Sequence, residues 1–214
     1  MQFDSTTINM LIKGIGETFY MVLLSSALSY IIGIPLGIAL VVTDKEGISP
    51  VPLFNKVLGL IINLLRSVPF IILLIMVLPI TKFIVGKTIG SNATVVPLII
   101  AASPYIGRMV ESSLKEVDAG VIEAAKSMGA STWQIIVKAS LLVGAAISVT
   151  TILGYSAMAG FTGGGGLGDI AIRYGYHRYQ TDMMMVTVVL LVIIVQLIQE
   201  VAMRMSRKSD KRIR

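Results

Sequence analysis

The stretch TFYMVLLSSALSYIIGIPLGIALVV, residues 18–42, carries no charged side chain over its 25 positions and ends at the polar run Thr43-Asp44-Lys45-Glu46-Gly47. About 20 mostly apolar residues suffice for a helix to cross the hydrocarbon core of a bilayer, so this stretch reads as a membrane span. Working outward from it, four further apolar stretches reach comparable length, at about 57–81, 88–107, 139–160 and 183–202. Arg66 interrupts the second. Pro35, Pro69, Pro97 and Pro104 fall inside these stretches or at their ends, where membrane helices tolerate breakers if neighbours satisfy the freed backbone groups. The first span is expected to be retained rather than cleaved as a signal peptide. Its apolar run is too long, and the residues before it include the acidic Asp4 and no basic cluster.

Composition points the same way. Of 214 residues, 55% are hydrophobic and 14% charged, and the mean hydropathy is +0.84. A soluble domain carries about 25% charged residues. The expected architecture is therefore an all-α polytopic membrane protein of five helices, forming one transmembrane domain over 1–214. There is no Cys and only one His, His177, which excludes disulfides, thiolate chemistry and a Cys- or His-rich metal site within one chain.

The net charge of +6 is concentrated at the end of the chain, in Arg204, Arg207, Lys208, Lys211, Arg212 and Arg214. Beside a hydrophobic span, such a tail fixes topology and meets anionic lipid in preference to nucleic acid. Placing it inside gives twelve Lys and Arg on the cytoplasmic side against five on the other, with Arg66 left uncounted. The N-terminus is thus expected outside and the C-terminus inside.

The least hydrophobic internal segment, 110–138, then faces the cytoplasm between spans three and four. Asp118 is placed to cap a short helix over about 119–128, with Val121, Ile122, Ala125 and Met128 on one face. Gly129 suits the left-handed position that ends it. Ser131 and Gln134 form a capping-box pair that opens a second helix leading into span four. Periodicity alone is equally served by an amphipathic helix lying on lipid head groups.

Glu123-Ala124-Ala125 followed by Gly129 resembles the EAA loop of bacterial ABC-importer permeases. Three other stretches are similar to the methionine-type branch of that family. They are Arg66 to Leu74 (RSVPFIILL), Pro104 to Glu111 (PYIGRMVE), and Gly154 to Gly160 (GYSAMAG) with the Gly163 to Gly168 run and Arg173-Tyr174-Gly175-Tyr176. The similarity runs over most of the chain. It departs from the family pattern where a Leu-Pro pair is usual: this chain has Leu141-Leu142, and no Pro after Pro104. The helix from Thr132 is accordingly expected to run unbroken into span four.

The resemblance implies the permease subunit of an ATP-driven importer of methionine in a bacterial cytoplasmic membrane. It implies a homodimer, two ATP-binding ABC subunits on the cytoplasmic side and an extracytoplasmic substrate-binding protein. ATP and Mg would be bound by the partner ATPase, so this chain is expected to hold no cofactor, no metal and no catalytic residue. The loop would act as a coupling helix, with Glu123 making charge-assisted contacts in the ATPase groove. Ala124, Ala125 and Met128 would fill that groove, Gly129 would permit the turn, and Ile135 would match the family Ile. The Gly163–Gly166 run is followed by Leu167-Gly168 and not by Gly-Lys-Ser/Thr, so it is no phosphate-binding loop; it reads as a flexible extracytoplasmic turn.

Tyr155, Ser156 and Met158 sit mid-span. Small neighbours there suit close helix packing, and the sharper alternative is an apolar gate formed by Tyr155 and Met158 of two subunits. Arg66 either snorkels or points into the bundle. The run Met183-Met184-Met185 reads as packing or lipid-facing residues. Two other functions stay open: a permease for another amino acid or small organic solute, and an ion-coupled secondary transporter. The latter would want mid-span carboxylates, whereas Glu17 and Glu200 lie near span ends.

Overall fold

The computed structural model describes residues 4–116, 120, 127–129 and 145–209. Every regular element among them is helical. Helix α1 spans Ser5–Val42, α2 Pro52–Ser67, α3 Phe70–Met76, α4 Leu78–Val85, α5 Ser91–Lys115, α6 Ala145–Met158, α7 Gly166–Ile170 and α8 Thr181–Ser209. A 3-10 turn over Ala159–Thr162 and a π-helical turn over Ala171–Tyr176 link the last three. Among the described residues, three helices are long and apolar enough to cross a bilayer: α1, α5 and α8 over Thr181–Val201. The pair α2 and α3 passes the same test together, which makes four.

The 38 residues of α1 extend about 57 Å at about 1.5 Å per residue. The helix thus begins well before the expected span at Thr18. Its buried face is made largely of small residues, Gly14, Thr18, Ser25, Ser29, Gly33 and Gly37 among them, at the three- and four-residue spacing that forms one ridge of a helix. Its Gly33 and Gly37 end lies on α5, in the most extensive helix pairing among the described residues, while Gly14 and Thr18 face α7 and the turn before it. A Cβ at Gly33 would stand 2.7 Å from Ile106 Cβ, and one at Gly37 would stand 2.5 Å from the Gly107 carbonyl oxygen. Neither fits. Lipid offers no hydrophobic drive between helices, so close backbone approach and dispersion must hold them. Around this axis the core gathers Met21 and Val22 of α1, Leu98 and Ala102 of α5, Ile152 and Leu153 of α6, Leu167, Met183 and Ile194.

The expected second span, 57–81, is not one helix. Pro69 has no N–H and drives the residue before it out of the helical region. Val68 accordingly takes φ −80° and ψ 127°, and α2 and α3 meet at 107°. Val77 then separates α3 from α4. The third span also runs longer than expected: α5 continues through Pro97 and Pro104 to Lys115, so residues 110–115 belong to this helix and not to a loop. In α8, Met183 is buried while Met185 is 60% exposed, matching packing and outward-facing roles. Residues 130–144, including the expected helix start at Thr132 and the Leu141-Leu142 departure, lie outside the described residues.

The Gly-rich run is not the flexible turn that its composition suggests. Gly163, Gly165 and Gly166 hold φ of 74°, 80° and 75°, a region glycine enters without cost, and the turn is wedged between α1 and α5. The Gly166 N–H donates to Glu17 Oε2 at 2.8 Å, and the Leu167 N–H donates to Thr18 Oγ1 at 2.9 Å. Thr94 Oγ1 donates to the Gly164 carbonyl at 3.1 Å. A Cβ at Gly164 would lie 2.7 Å from both the Ala159 carbonyl oxygen and Thr94 Oγ1.

Gly37→Val is expected to lower the thermal midpoint of the detergent-solubilised protein, at a cost of about 1–3 kcal/mol or more for overpacking against a backbone carbonyl. Gly16→Ala, at a position with open space around it, should leave that midpoint unchanged or raise it.

Candidate functional site

Three places carry the residues singled out in the sequence. The first is the junction of α3 and α6. Phe70, the first residue of α3 after the Pro69 break, stacks on Tyr155 of α6 with ring centroids 4.5 Å apart and planes within 7°. Such an aromatic pair is worth about 0.5–1.5 kcal/mol beyond the area it covers, and it ties the broken helix to the centre of the bundle. Ser156 is buried, and its hydroxyl donates to the Leu153 carbonyl of its own helix at 2.8 Å. Its hydroxyl is thus satisfied locally and is not offered to a path. Met158 is 45% exposed at the end of α6, and Phe161 beyond it is 57% exposed. Tyr155 and Met158 therefore share a helix but not an environment: the tyrosine is held by Phe70 while the methionine projects from the chain.

The second place is the polar end formed by the C-termini of α1 and α5. Asn55 Nδ2 donates to the Leu40 carbonyl at 2.6 Å and to Thr43 Oγ1 at 3.0 Å, closing the loop between α1 and α2. Lys115 donates to Asp44 and Glu111, and Arg108 donates to Glu111 and to α2. The hydrogen bond from Lys115 is the chief reason that the Asp44 carboxyl is held below its ordinary value. A depressed carboxylate adds stability above its unfolded value, and that contribution fades as pH falls through the lowered one. A cavity of about 570 Å³ opens here, lined by Arg66, Arg108, Met109 and Ser112 among others. Arg66 is exposed, with its guanidinium carbon 5.9 Å from the centre of the Tyr105 ring of α5. It therefore lies against the bundle over an aromatic face, within the range of a cation–π contact.

Of the residues expected to couple to an ATPase, Glu123, Ala124, Ala125 and Ile135 lie outside the described residues. Met128 is 82% exposed. Gly129 has φ of +80° with open space around it, so it does occupy a left-handed turn position.

The third place is a cavity of about 520 Å³ at the opposite end, beside the Gly turn, lined by Lys13, Glu17, Lys87, Asp169, Arg173 and Tyr174 among others. The Arg173–Asp169 pair spans 2.6 Å and the Lys13–Glu17 pair 3.8 Å. Sequence reasoning missed the structural work of Glu17 and Thr18. Both lie at the start of the first apolar stretch, and their partners stand 149 positions away. A carboxylate and a hydroxyl side by side at the very start of an apolar run were the available signal.

Several helices of membrane-spanning length, one broken span and charge clustered at two ends define a polytopic membrane protein. The chain belongs to the family of binding-protein-dependent transport system inner membrane components, which matches it over residues 30–214. It is 44% identical over 218 residues to the protein of Vibrio cholerae described as "Probable D-methionine transport system permease protein MetI", covering 99% of this chain and 97% of that one. To the "Methionine import system permease protein MetP" of Bacillus subtilis it is 40% identical over 180 residues, 81% of either chain. Its fold superposes on a subunit of the inward-facing methionine ABC transporter MetNI with a TM-score of 0.90 at 40% identity, covering 97% of this chain and 100% of that one. An amino acid ABC transporter solved with histidines shares the fold at TM-score 0.74 and 18% identity, covering 97% of this chain and 100% of that one.

Thr18→Val keeps the shape of the side chain and removes the acceptor of the Leu167 N–H. It is expected to cost about 1–3 kcal/mol, the penalty of a buried donor left unpaired. Ser156→Ala, whose hydroxyl serves only its own helix, should cost less than Thr18→Val, because no N–H outside that helix loses its acceptor. Thermal unfolding in detergent compares the two.

Proposed function

We propose that this chain is the membrane-spanning permease subunit of an ATP-driven methionine importer, acting as one transmembrane domain over 1–214. The observation that carries the reading is the full-length match, at 40% identity and a TM-score of 0.90, to a methionine ABC transporter. Curated relatives named for methionine transport support it.

The finer arrangement has five spans with the N-terminus outside and the C-terminus inside. It is supported by α1, the bent α2–α3 pair, α5 and α8. The fifth would be the apolar stretch 139–160, within which α6 lies. The excess of Lys and Arg on one side supports the orientation. The permease would work as a homodimer between an extracytoplasmic substrate-binding protein and two cytoplasmic ABC subunits that bind ATP and Mg. Segment 116–138 would be the coupling helix, with Glu123, Ala124, Ala125, Met128 and Gly129 seated in the ATPase groove and Ile135 beyond. The exposure of Met128 and the left-handed Gly129 suit a small docking element of that kind. The gate would be formed by Met158 of the two subunits, each backed by a Tyr155 that Phe70 holds in place.

Co-expression with a cognate ATPase provides the test. The parent chain should purify with the ATPase in a 2:2 complex, and Glu123→Arg with Gly129→Val should lose it. Retention of the ATPase by that variant would move the docking element elsewhere, and failure of the parent chain to bind any ATPase would overturn the importer reading. Met158→Ala should raise ATP hydrolysis in the absence of binding protein, or increase solute leak through reconstituted vesicles. Unchanged hydrolysis and leak would dismiss the gate. A different cargo would show as competition by another amino acid at concentrations where methionine does not compete.

A further inference from the structure

We propose that the chain of contacts Asp44–Lys115–Glu111–Arg108–α2 is a brace that makes the α1–α2 loop, α2 and the end of α5 move as one body. It would carry displacement of the coupling segment to the Pro69 break; this rests on the permease reading above. Lys115 Nζ lies 2.6 Å from Asp44 Oδ2 and 3.0 Å from Glu111 Oε1. The other oxygen of Glu111 accepts from Arg108 Nη1 at 2.6 Å. Arg108 Nη2 then crosses to α2, donating to the Gly59 carbonyl at 3.1 Å and to Asn63 Oδ1 at 2.9 Å.

The grip on α2 is where this chain has mechanical content. Helix α1 is locked to α5 by close packing at Gly33 and Gly37, but Ile62 is the only buried residue that α2 contributes. Apolar contact within this chain therefore does little to fix α2, and the guanidinium fork supplies what packing does not. Gly59 makes room for it, since a Cβ there would stand 3.3 Å from Arg108 Nη2. A fixed planar fork holds two acceptors in one geometry, which an ammonium cannot do.

Position along the chain gives the brace its direction. Lys115 is the last residue of α5, next to the segment expected to couple to the ATPase, and α2 ends at the Ser67-Val68-Pro69 break. Beyond that break, Phe70 stacks on Tyr155. A push at residue 116 thus meets Lys115, crosses to α2 through Arg108, and arrives at the aromatic pair behind Met158. Lys115 and Asp44 are 47% and 34% exposed, and an exposed pair of this kind adds little stability. Its removal should uncouple more than it unfolds.

The intact transporter, reconstituted with its ATPase and binding protein, tests this through methionine imported per ATP hydrolysed. Arg108→Ala is expected to lower that ratio about 5-fold or more, the range of allosteric couplings, with the yield of assembled complex unchanged. The single variants Asp44→Ala and Lys115→Met should each lower it, and the two combined should lower it no further than Lys115→Met alone, because they break one chain of contacts. A ratio within about two-fold of the parent in Arg108→Ala, or a combined loss equal to the product of the two single losses, would overturn the brace. If Arg108→Ala does not assemble, Asn63→Leu removes an α2 acceptor and leaves every ion pair of α5; an unchanged ratio there also overturns it.

A readout that ignores cargo is available because the chain has no Cys. Spin labels on Leu60→Cys of α2 and Glu116→Cys should keep one distance with and without ATP, and Asn63→Leu should let that distance change. A nucleotide-dependent distance in the otherwise parental chain would overturn the brace whatever solute is carried. A constant distance, released by Asn63→Leu, in a complex that imports no methionine would support the brace and sink only the methionine reading.

Discussion

The close approach of α1 and α5 is the contact on which the other elements depend. In a bilayer, lipid tails solvate apolar side chains as well as a neighbouring helix does, so helices associate only where their surfaces fit closely or share hydrogen bonds. Gly33 and Gly37 remove the side chains that would hold the two backbones apart, and Ile106, Gly107 and Val110 of α5 fill the space. With that axis fixed, α6, α7 and α8 have a surface to pack on. Each end of the axis also presents polar groups at a defined separation.

Those polar groups do different work at the two ends. Beside the N-terminal half of α1, Glu17 and Thr18 satisfy backbone N–H groups of the Gly turn that would otherwise be orphaned in a crowded site. The turn becomes part of the core, and glycine is needed there because backbone, hydroxyl and carboxylate atoms already occupy the Cβ positions. At the other end the charged residues stay partly hydrated and run from helix to helix. The first arrangement fixes a structure; the second leaves side chains with partners on several elements, which is what a moving junction requires.

Pro69 adds the second constraint. By denying the helix a hydrogen bond and forcing Val68 to extend, it turns one apolar stretch into two helices at 107° and brings Phe70 onto Tyr155. A continuous helix over the same residues would carry Phe70 along the axis of α2. The break therefore places an aromatic contact at the centre of the bundle. Membership of a transport family accords with a span that bends at a defined point while its two halves contact different helices.

Composition, the spacing of apolar stretches and the family motifs were sufficient to make this an all-helical membrane protein of the importer-permease type. They also placed Gly129 at a left-handed turn and read the Met183–Met185 run as packing or lipid-facing residues, which the structure divides into a buried Met183 and an exposed Met185. These are properties of local pattern: hydrophobic length and the steric freedom of glycine are carried by the residues themselves. The tertiary structure decided which polar residues are paired with which. It showed the Gly-rich run hydrogen-bonded between α1 and α5, split the second span at Pro69, lengthened α5 through Lys115 and put Arg66 over Tyr105. It also joined Glu17 to a turn 149 positions away. None of these follows from spacing along the chain, because a hydrogen bond or a close contact depends on which helices become neighbours, and that is settled only when the small-residue faces have packed.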